Sequence, residues 1–230
     1  KYKEFAFNHG FKTINGTEAY PIPAGVTIVG TELMKVTDDF RGPSLELPPS
    51  VTKIHRSAAQ YKSAIKSITG LGIVEIEGSA FRNASGLTEV NFPKLKKIGD
   101  SAFENCSNLK TIKAPLVEEI GRGGFRNCKS LVEVNFPHLK TIPQGVFSAH
   151  GNLERIVLSD VTMIDDNAFA NQANVKSLEL GAVPPTLSAQ AFISNLGSNS
   201  PKVIVPAHAA SAYGAVGTKW QGIFTIEAKQ

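Results

Sequence analysis

Two cysteines, five histidines, several adjacent carboxylates and a recurring asparagine are the residues of this chain whose chemistry could build a site. Zinc requires three or four convergent ligands. His9, His55, His138, His150 and His208 have no i, i+4 spacing among them and no cysteine beside them, so no metal site is expected. No cofactor motif is present either, and a serine nucleophile of the Gly-x-Ser-x-Gly kind is missing. Glu118-Glu119 and Asp165-Asp166 are adjacent pairs. Neighbouring side chains diverge, and carboxylates in exposed turns keep the ordinary acidity that general acid–base work has to change. The residues predict a protein without catalytic groups. Cys106 and Cys128 are too few for a disulfide framework.

The spacing of these residues points to the scaffold. Cys106 and Cys128 are 22 apart, and so are Asn83, Asn105 and Asn127. The same interval separates Ile76, Ile98, Ile120, Ile142 and Ile164, and each is followed five places on by Phe81, Phe103, Phe125, Phe147 or Phe169. Leu87, Leu109, Leu131, Leu153 and Val175 form a third register. Self-similarity at this period is the mark of a solenoid whose units bury their apolar faces against one another. The fold class expected is α/β, a right-handed leucine-rich-repeat solenoid with short parallel strands, 22-residue coils and terminal caps.

Each position of the repeat has a local reading. In Leu87-Thr-Glu-Val90-Asn-Phe92 the apolar residues alternate with polar ones, as a short strand with one buried face requires. Pro93, Pro115 and Pro137 follow such strands, where a residue without an N–H is tolerated. Ser79, Ser101, Gly123, Gly145 and Asn167 precede the Ala-Phe pair of each coil, which is Gly-Phe and Val-Phe in the third and fourth, and are residue types favoured at helix N-caps. They predict one helical turn per coil. The asparagine column, Asn83, Asn105, Asn127 and Asn171 with Ala149 as the gap, is expected to satisfy backbone groups inside tight turns. The sequons at Asn83-Ala-Ser and Asn105-Cys-Ser offer glycosylation as the alternative. Stacked at about 4.8 Å, the two cysteines fall within Cα reach of a disulfide, but equivalent side chains point the same way. Two buried thiols are expected.

Residues 54–75 are a degenerate copy, with Ile54, Ile65 and Ile68 each 22 before a counterpart and Ala59 in the phenylalanine position. Tyr61 is expected to supply the missing volume. Residues 76–180 hold the regular copies, and the solenoid is expected to run over 54–192. Residues 1–53 read as an N-terminal cap, with strands suggested around Phe5, Phe7, Phe11, Tyr20-Pro-Ile-Pro, Val26–Val29 and Leu45-Glu-Leu. Residues 193–230 read as a C-terminal cap. There the register lapses over 194–200, Val203–Pro206 reads as a strand, Ala207–Val216 as a helix, and Trp220 with Ile223–Ile226 as closing elements.

The formal net charge is +4 with a pI near 9. Residues 76–186 carry 12 basic and 12 acidic side chains, so the repeats are neutral and the excess sits at the ends. Nucleic-acid binders carry a basic stripe, and no nucleic-acid partner is expected. No run approaches the ~20 apolar residues of a transmembrane helix. The chain opens at Lys1 without an apolar signal core, so either a targeting segment has been removed or the chain was cut there.

Ile98-Gly-Asp-Ser-Ala-Phe103-Glu-Asn-Cys106-Ser-Asn-Leu109 and then Ile112-Lys-Ala-Pro115 carry a more specific message. So do Ile120-Gly121 through Phe125, Cys128 and Leu131. This pattern resembles the BspA-like (Treponema pallidum type) leucine-rich repeats, over roughly residues 54–226. The resemblance implies a secreted or cell-surface protein, lipid-anchored through a segment upstream of Lys1 in some arrangements, with a role in adhesion or host-protein binding. The cysteine position departs from the pattern at Ala84, His150 and Gln172.

Outward strand positions form two columns: Ser67, Glu89, Thr111, Glu133, Arg155, Ser177 and Thr69, Asn91, Lys113, Asn135, Val157, Glu179. Repeat proteins use such columns as extended binding surfaces. Mixed charge suits a protein partner, such as a host matrix or serum protein, and the absence of aromatic side chains argues against a glycan platform. Glu89, Asn91, Lys113, Glu133, Asn135, Arg155 and Glu179 are the candidate contact residues, on a chain expected to be monomeric. The alternative is a structural spacer or stalk with no specific ligand, and a more distant one is an enzyme of unknown type, which would need a cluster of convergent titratable groups.

Overall fold

A strand, an exit turn, a second shorter strand and a run of tight turns make up each coil of the computed structural model, which describes residues 22–149, 151–192 and 201–229. The strand positions suggested around Phe5, Phe7, Phe11 and Tyr20, the lapse over 194–200, and His9 and His150 lie outside the described residues.

The longer strands form a parallel wall: Ser67–Thr69, Glu89–Asn91, Thr111–Lys113, Glu133–Asn135, Arg155–Leu158 and Ser177–Leu180. Their register keeps the sequence period, with Ile68 opposite Val90 and Val90 opposite Ile112. Val134, Ile156 and Leu178 continue the column. Alternation then sends the central residue inward, and Ile68, Val90, Val134, Ile156 and Leu178 are buried. A second wall is built from two-residue strands such as Glu75–Ile76, Lys97–Ile98 and Glu119–Ile120, whose isoleucines are also buried. Gly99 and Gly121 follow these isoleucines because the coils touch there: a Cβ on Gly99 would lie 2.5 Å from the nitrogen of Gly78, and one on Gly121 2.4 Å from that of Asp100.

The third wall differs from the expectation. The Ser-Ala-Phe-x-Asn segments form consecutive tight turns, not a helical turn, and helix among the described residues is confined to Ala207–Ala209 and Ala210–Tyr213. Ser79, Ser101 and Asn167 have φ of 58°, 53° and 55°, in the left-handed region, where an N-cap residue would be extended. The asparagine column is left-handed as well, at 60–62° for Asn83, Asn105 and Asn127. With both ends of the segment so turned, alternate N–H groups point to different acceptors. Arg82 N bonds within its coil to Ser79 O at 3.1 Å, while Phe81 N reaches Ala102 O of the next coil at 2.8 Å. The turn wall is therefore a third hydrogen-bonded ladder between coils.

Inside, Phe81, Phe103, Phe125, Phe147, Phe169 and Phe192 stack face to face, with centroids 5.1–5.8 Å apart. Phe224 ends the stack edge-on, at 70° to Phe192. Offset rings at such separations are favourable contacts beyond their buried area.

The stacked coils extend upstream of residue 54. Ser44–Glu46 pairs in parallel with Ser67–Thr69, and Leu33 lies opposite Ile54. An antiparallel hairpin of Val26–Val29 and Glu32–Val36 closes this end. Tyr61 is exposed and left-handed, in the asparagine column, and does not fill the phenylalanine position. At the other end Lys202–Pro206 and Phe224–Lys229 add two parallel rungs, and Lys219–Trp220 returns antiparallel.

One junction interrupts two of the three walls. The strand wall splits between Thr111–Lys113 and Glu133–Asn135, and the second wall splits between Glu119–Ile120 and Thr141–Ile142. The second break has a covalent cause. Gly99 N donates to Ile76 O and Gly121 N to Ile98 O, both at 2.7 Å, and Asp165 N donates to Ile142 O at 2.9 Å. The intervening coil has Pro143 at this position, which has no N–H. The turn wall stays joined through Phe125 N to Val146 O at 3.1 Å. Phe125 and Phe147 are the most widely spaced pair in the ring stack, at 5.8 Å, and Phe136 packs against both.

Candidate functional site

The seven positions singled out in the sequence lie on the strand wall in two registered columns. Glu89, Thr111, Glu133, Arg155 and Ser177 follow one another in the first, extended by Lys202 and Thr225. Asn91, Lys113, Asn135 and Glu179 belong to the second. Val157 of this column is buried, and Glu179 is only 15% exposed.

Five of the seven are charged, three acids and two bases, and with Lys229 they neutralise one another. Lys113 Nζ donates to Glu89 Oε1 at 3.2 Å. Arg155 donates to Glu133 and, through Nη2, to Glu179 Oε2 at 3.2 Å, and Lys229 donates to the other oxygen of Glu179. The break between Thr111–Lys113 and Glu133–Asn135 separates the two networks, so the face consists of two patches. Asn91 is half-buried and Asn135 exposed; their amides are the polar groups between the charges. Exposed ion pairs of this kind contribute ~0–1 kcal/mol each.

The same arrangement recurs elsewhere on the surface. Lys96 pairs with Glu118 at 2.9 Å, Lys97 with Glu119 at 3.3 Å, Arg82 with Glu104 at 2.9 Å and Lys176 with Glu154 at 2.7 Å, each 22 residues apart. Glu118 thus gains an ammonium partner that lowers its pKa. Lys140 and His138 together lower that of Asp160. These pairs staple one coil to the next. The sequence signal that finds them is opposite charge at the repeat interval.

The other reactive residue types occupy structural positions. Cys106 and Cys128 are buried, free thiols. Their Sγ atoms donate to the carbonyls of Phe81 and Phe103, both at 3.1 Å, and Gln172 Nε2 takes the same role toward Phe147. Burial pushes the Cys106 thiol up to about 12 and the Cys128 thiol well above its usual value. The asparagines form a side-chain ladder: Asn105 Nδ2 donates to Asn83 Oδ1 at 2.8 Å and Asn127 Nδ2 to Asn105 Oδ1 at 2.7 Å. They bond to one another and not, as expected, to turn backbone. Ser-x-x-Lys, a nucleophile spacing not expected in this chain, occurs at Ser50–Lys53, Ser63–Lys66 and Ser107–Lys110, but Lys53 Nζ is 2.6 Å from Glu77 Oε1 and Lys66 Nζ donates to the Ser63 carbonyl at 3.3 Å, not to its hydroxyl. No group of three or more His, Cys, Asp or Glu side chains that could hold a metal is found among the described residues. No helix among them is long and apolar enough to cross a membrane.

The fold is shared with bacterial proteins of solved structure. A leucine rich cell surface protein from Faecalibacterium prausnitzii A2-165 superposes with a TM-score of 0.63 at 22% identity, over 96% of this chain and 55% of that one. A leucine-rich repeat protein from Bacteroides ovatus gives 0.55 at 19% identity, over 81% and 55%. The pneumococcal vaccine antigen PcpA gives 0.56 at 15% identity, over 87% and 45%. The chain spans about half the length of these structures. No curated protein sequence matches it. The model of the BspA type leucine rich repeat region matches in six copies, over residues 8–110 and 74–198. The matched residues include the buried isoleucine, phenylalanine and cysteine columns described above, and this chain belongs to the BspA type leucine rich repeat family.

Proposed function

We propose that the chain is a non-enzymatic protein-binding module of a secreted or cell-surface protein, and that its contact surface is the outward face of the strand wall. One observation carries this reading: a registered wall whose inward residues stay apolar presents outward pairs that change from each coil to the next. Glu89 and Asn91 give way to Thr111 and Lys113, the Glu-Asn pair returns at Glu133 and Asn135, and Arg155 and Glu179 follow, while the isoleucine, valine and leucine between them hold a constant frame. Variation on a rigid frame is how repeat proteins encode recognition. The partner class we favour is an extracellular host protein of the matrix or serum, reached by adhesion. The cell-surface description of the Faecalibacterium neighbour agrees with that location.

The neutralisation of the five charged residues by one another and by Lys229 favours a second reading, a spacer that presents other parts of a longer protein and binds nothing itself. A capture experiment against matrix and serum proteins separates the two. Saturable capture that is lost in a variant carrying Glu89→Lys and Lys113→Glu together with Glu133→Arg, Arg155→Glu and Glu179→Gln supports the binding face, because the swaps keep the 89–113 and 133–155 ion pairs and reverse the pattern, and Glu179→Gln removes the carboxylate that position 155 would otherwise face. Saturable capture that survives the swaps removes the face assignment, and no capture at all leaves the spacer.

A further inference from the structure

The turn wall, remote from the strand columns, has a concavity of about 480 Å3 that spans four coils, from Ser101 to Asn167. Small residues make it deep. Gly123 and Gly145 stand where neighbouring coils carry Ser79, Ser101 and Asn167, and a Cβ on either would meet nothing closer than 3.6 Å. Packing does not demand glycine there. The left-handed φ of 62° and 68° tolerates serine, as Ser101 at 53° demonstrates one coil earlier.

The charge lining this groove is unbalanced. Arg122 and Arg126 are exposed, and neither guanidinium has an ion-pair partner among the described residues, although each has an acid 22 residues before it. Those acids are engaged. Glu104 Oε2 lies 2.9 Å from Arg82 Nε, and Asp100 Oδ1 accepts the backbone N–H of Arg122 at 2.8 Å. Lys94, Lys110 and Lys129 are also without a carboxylate partner among the described residues, but of the four arginines in residues 76–186 Arg82 and Arg155 are stapled to carboxylates of adjacent coils, and the two forks left over lie together in this groove. Gln144 and Asn167 add amide donors and acceptors farther along.

We propose that this groove binds a short acidic segment of polypeptide, its carboxylates on Arg122 and Arg126 and its backbone along Gln144 and Asn167. Planar guanidinium forks bind carboxylates in two-point fashion. A polypeptide is favoured over a uniform polyanion because Glu104 lines the same groove. A sulfated glycan or nucleic acid, charged at every unit, would place an anion against it, whereas a peptide can put a neutral residue there. Three intercoil steps of about 4.8 Å span roughly 14 Å, the length of about four extended residues at ~3.3 Å each. The motif is that short. This surface is independent of the strand wall, so either assignment can fail alone.

The test is fluorescence anisotropy with a labelled peptide of four glutamates flanked by glycine and serine, at low and physiological salt. Controls are the glutamine version of that peptide and a sulfated heparin hexasaccharide. Saturable binding of the acidic peptide is expected, weakened as salt screens it and at least tenfold weaker in the Arg122→Gln/Arg126→Gln variant. Gly123→Ser, which fills the floor at a left-handed position of the kind Ser101 occupies one coil earlier, is expected to weaken it comparably, with the fold retained and the melting temperature slightly lowered by the left-handed backbone. The strand-wall charge swaps should leave it intact. Equal binding of the glutamine peptide, undiminished binding by the double variant, or tighter binding of the heparin fragment than of the peptide would overturn the proposal. So would absence of peptide binding at low salt.

Discussion

Pro143 occupies the position from which Gly121, one coil earlier, donates its N–H to Ile98 O at 2.7 Å, and it therefore gives Ile120 no such bond. Because the strand wall is split between the same two coils, the turn wall carries most of the backbone hydrogen bonds across this junction, with Ser130 N to Ser107 O at 3.1 Å beside the split strands. The solenoid is divided there into two blocks that share a core.

That division predicts uneven amide exchange. Val132, Glu133, Lys140 and Thr141 lack the coil-to-coil acceptors that their counterparts Thr88, Glu89, Lys96 and Lys97 find in Lys66 and Val74. The first set should exchange faster than the second, since local opening follows the bonds that have to be broken. Pro143→Gly should introduce a protected amide at that position. Net stability should change little, because a hydrogen bond of ~1 kcal/mol is offset by the extra freedom glycine gives the unfolded chain, ~0.4–1 kcal/mol. Uniform protection on both sides of the junction would mean that the walls are continuous in solution.

Ala149 is the weak point of the asparagine column. Its φ of 60° is the conformation that Asn83, Asn105 and Asn127 adopt before it and Asn171 after it, but alanine has no side-chain group to offset the steric penalty. Left-handed backbone costs an ordinary L-residue roughly 1–2 kcal/mol, less for asparagine. Ala149→Asn should raise stability by about 1 kcal/mol, with the new amide placed to donate to Asn127 Oδ1. Ala149→Val should lower it. Thermal melts of the two variants check the sign.

Much of this structure is legible in the sequence because the period is strict. Once Ile76 to Ile164 are aligned, every inward column follows, and the Cys, Phe and Leu ladders are core as the spacing implies. The turn wall was less legible because serine and asparagine suit two conformations, an extended N-cap and a left-handed turn. The decisive clue lies in the same column, where Gly123 and Gly145 replace Ser and favour positive φ. Tyr61 misleads in a similar way: it is 22 residues before Asn83, which assigns it to the exposed turn and not to the ring stack. Whether a column charge is free or paired is a question of three-dimensional choice. Glu104 has an arginine 22 residues away on each side, and only the folded chain reveals that it takes Arg82.

The thiols make a chemical prediction. Reactivity belongs to the thiolate, and burial holds both cysteines protonated, Cys106 at about 12. Neither should react with a disulfide reagent at neutral pH in the native protein, and both should react after denaturation without reductant. A single reactive thiol in the native state would place one of them at the surface, and none after denaturation would reveal a bond between them.

Lys53 and Glu77 predict how stability depends on pH. Lys53 Nζ is 2.6 Å from Glu77 Oε1; this hydrogen bond is the main reason that the lysine pKa is raised and the glutamate pKa lowered. A carboxylate whose folded pKa is depressed adds stability above the ordinary glutamate value, about 4.3, and loses it as pH falls through the folded value. A lysine whose folded pKa is raised adds stability below about 10.4 and loses it as pH rises through the folded value. Asp160 and Glu118 are shifted downward by their lysine partners and act at the acid edge alone. The melting temperature should therefore hold a plateau between these limits and fall at each edge. Glu77→Gln should lower the plateau slightly and make both edges shallower, while Asp160→Asn should soften only the acid one. An alkaline edge unchanged by Glu77→Gln would show that the pair seen here does not persist in solution.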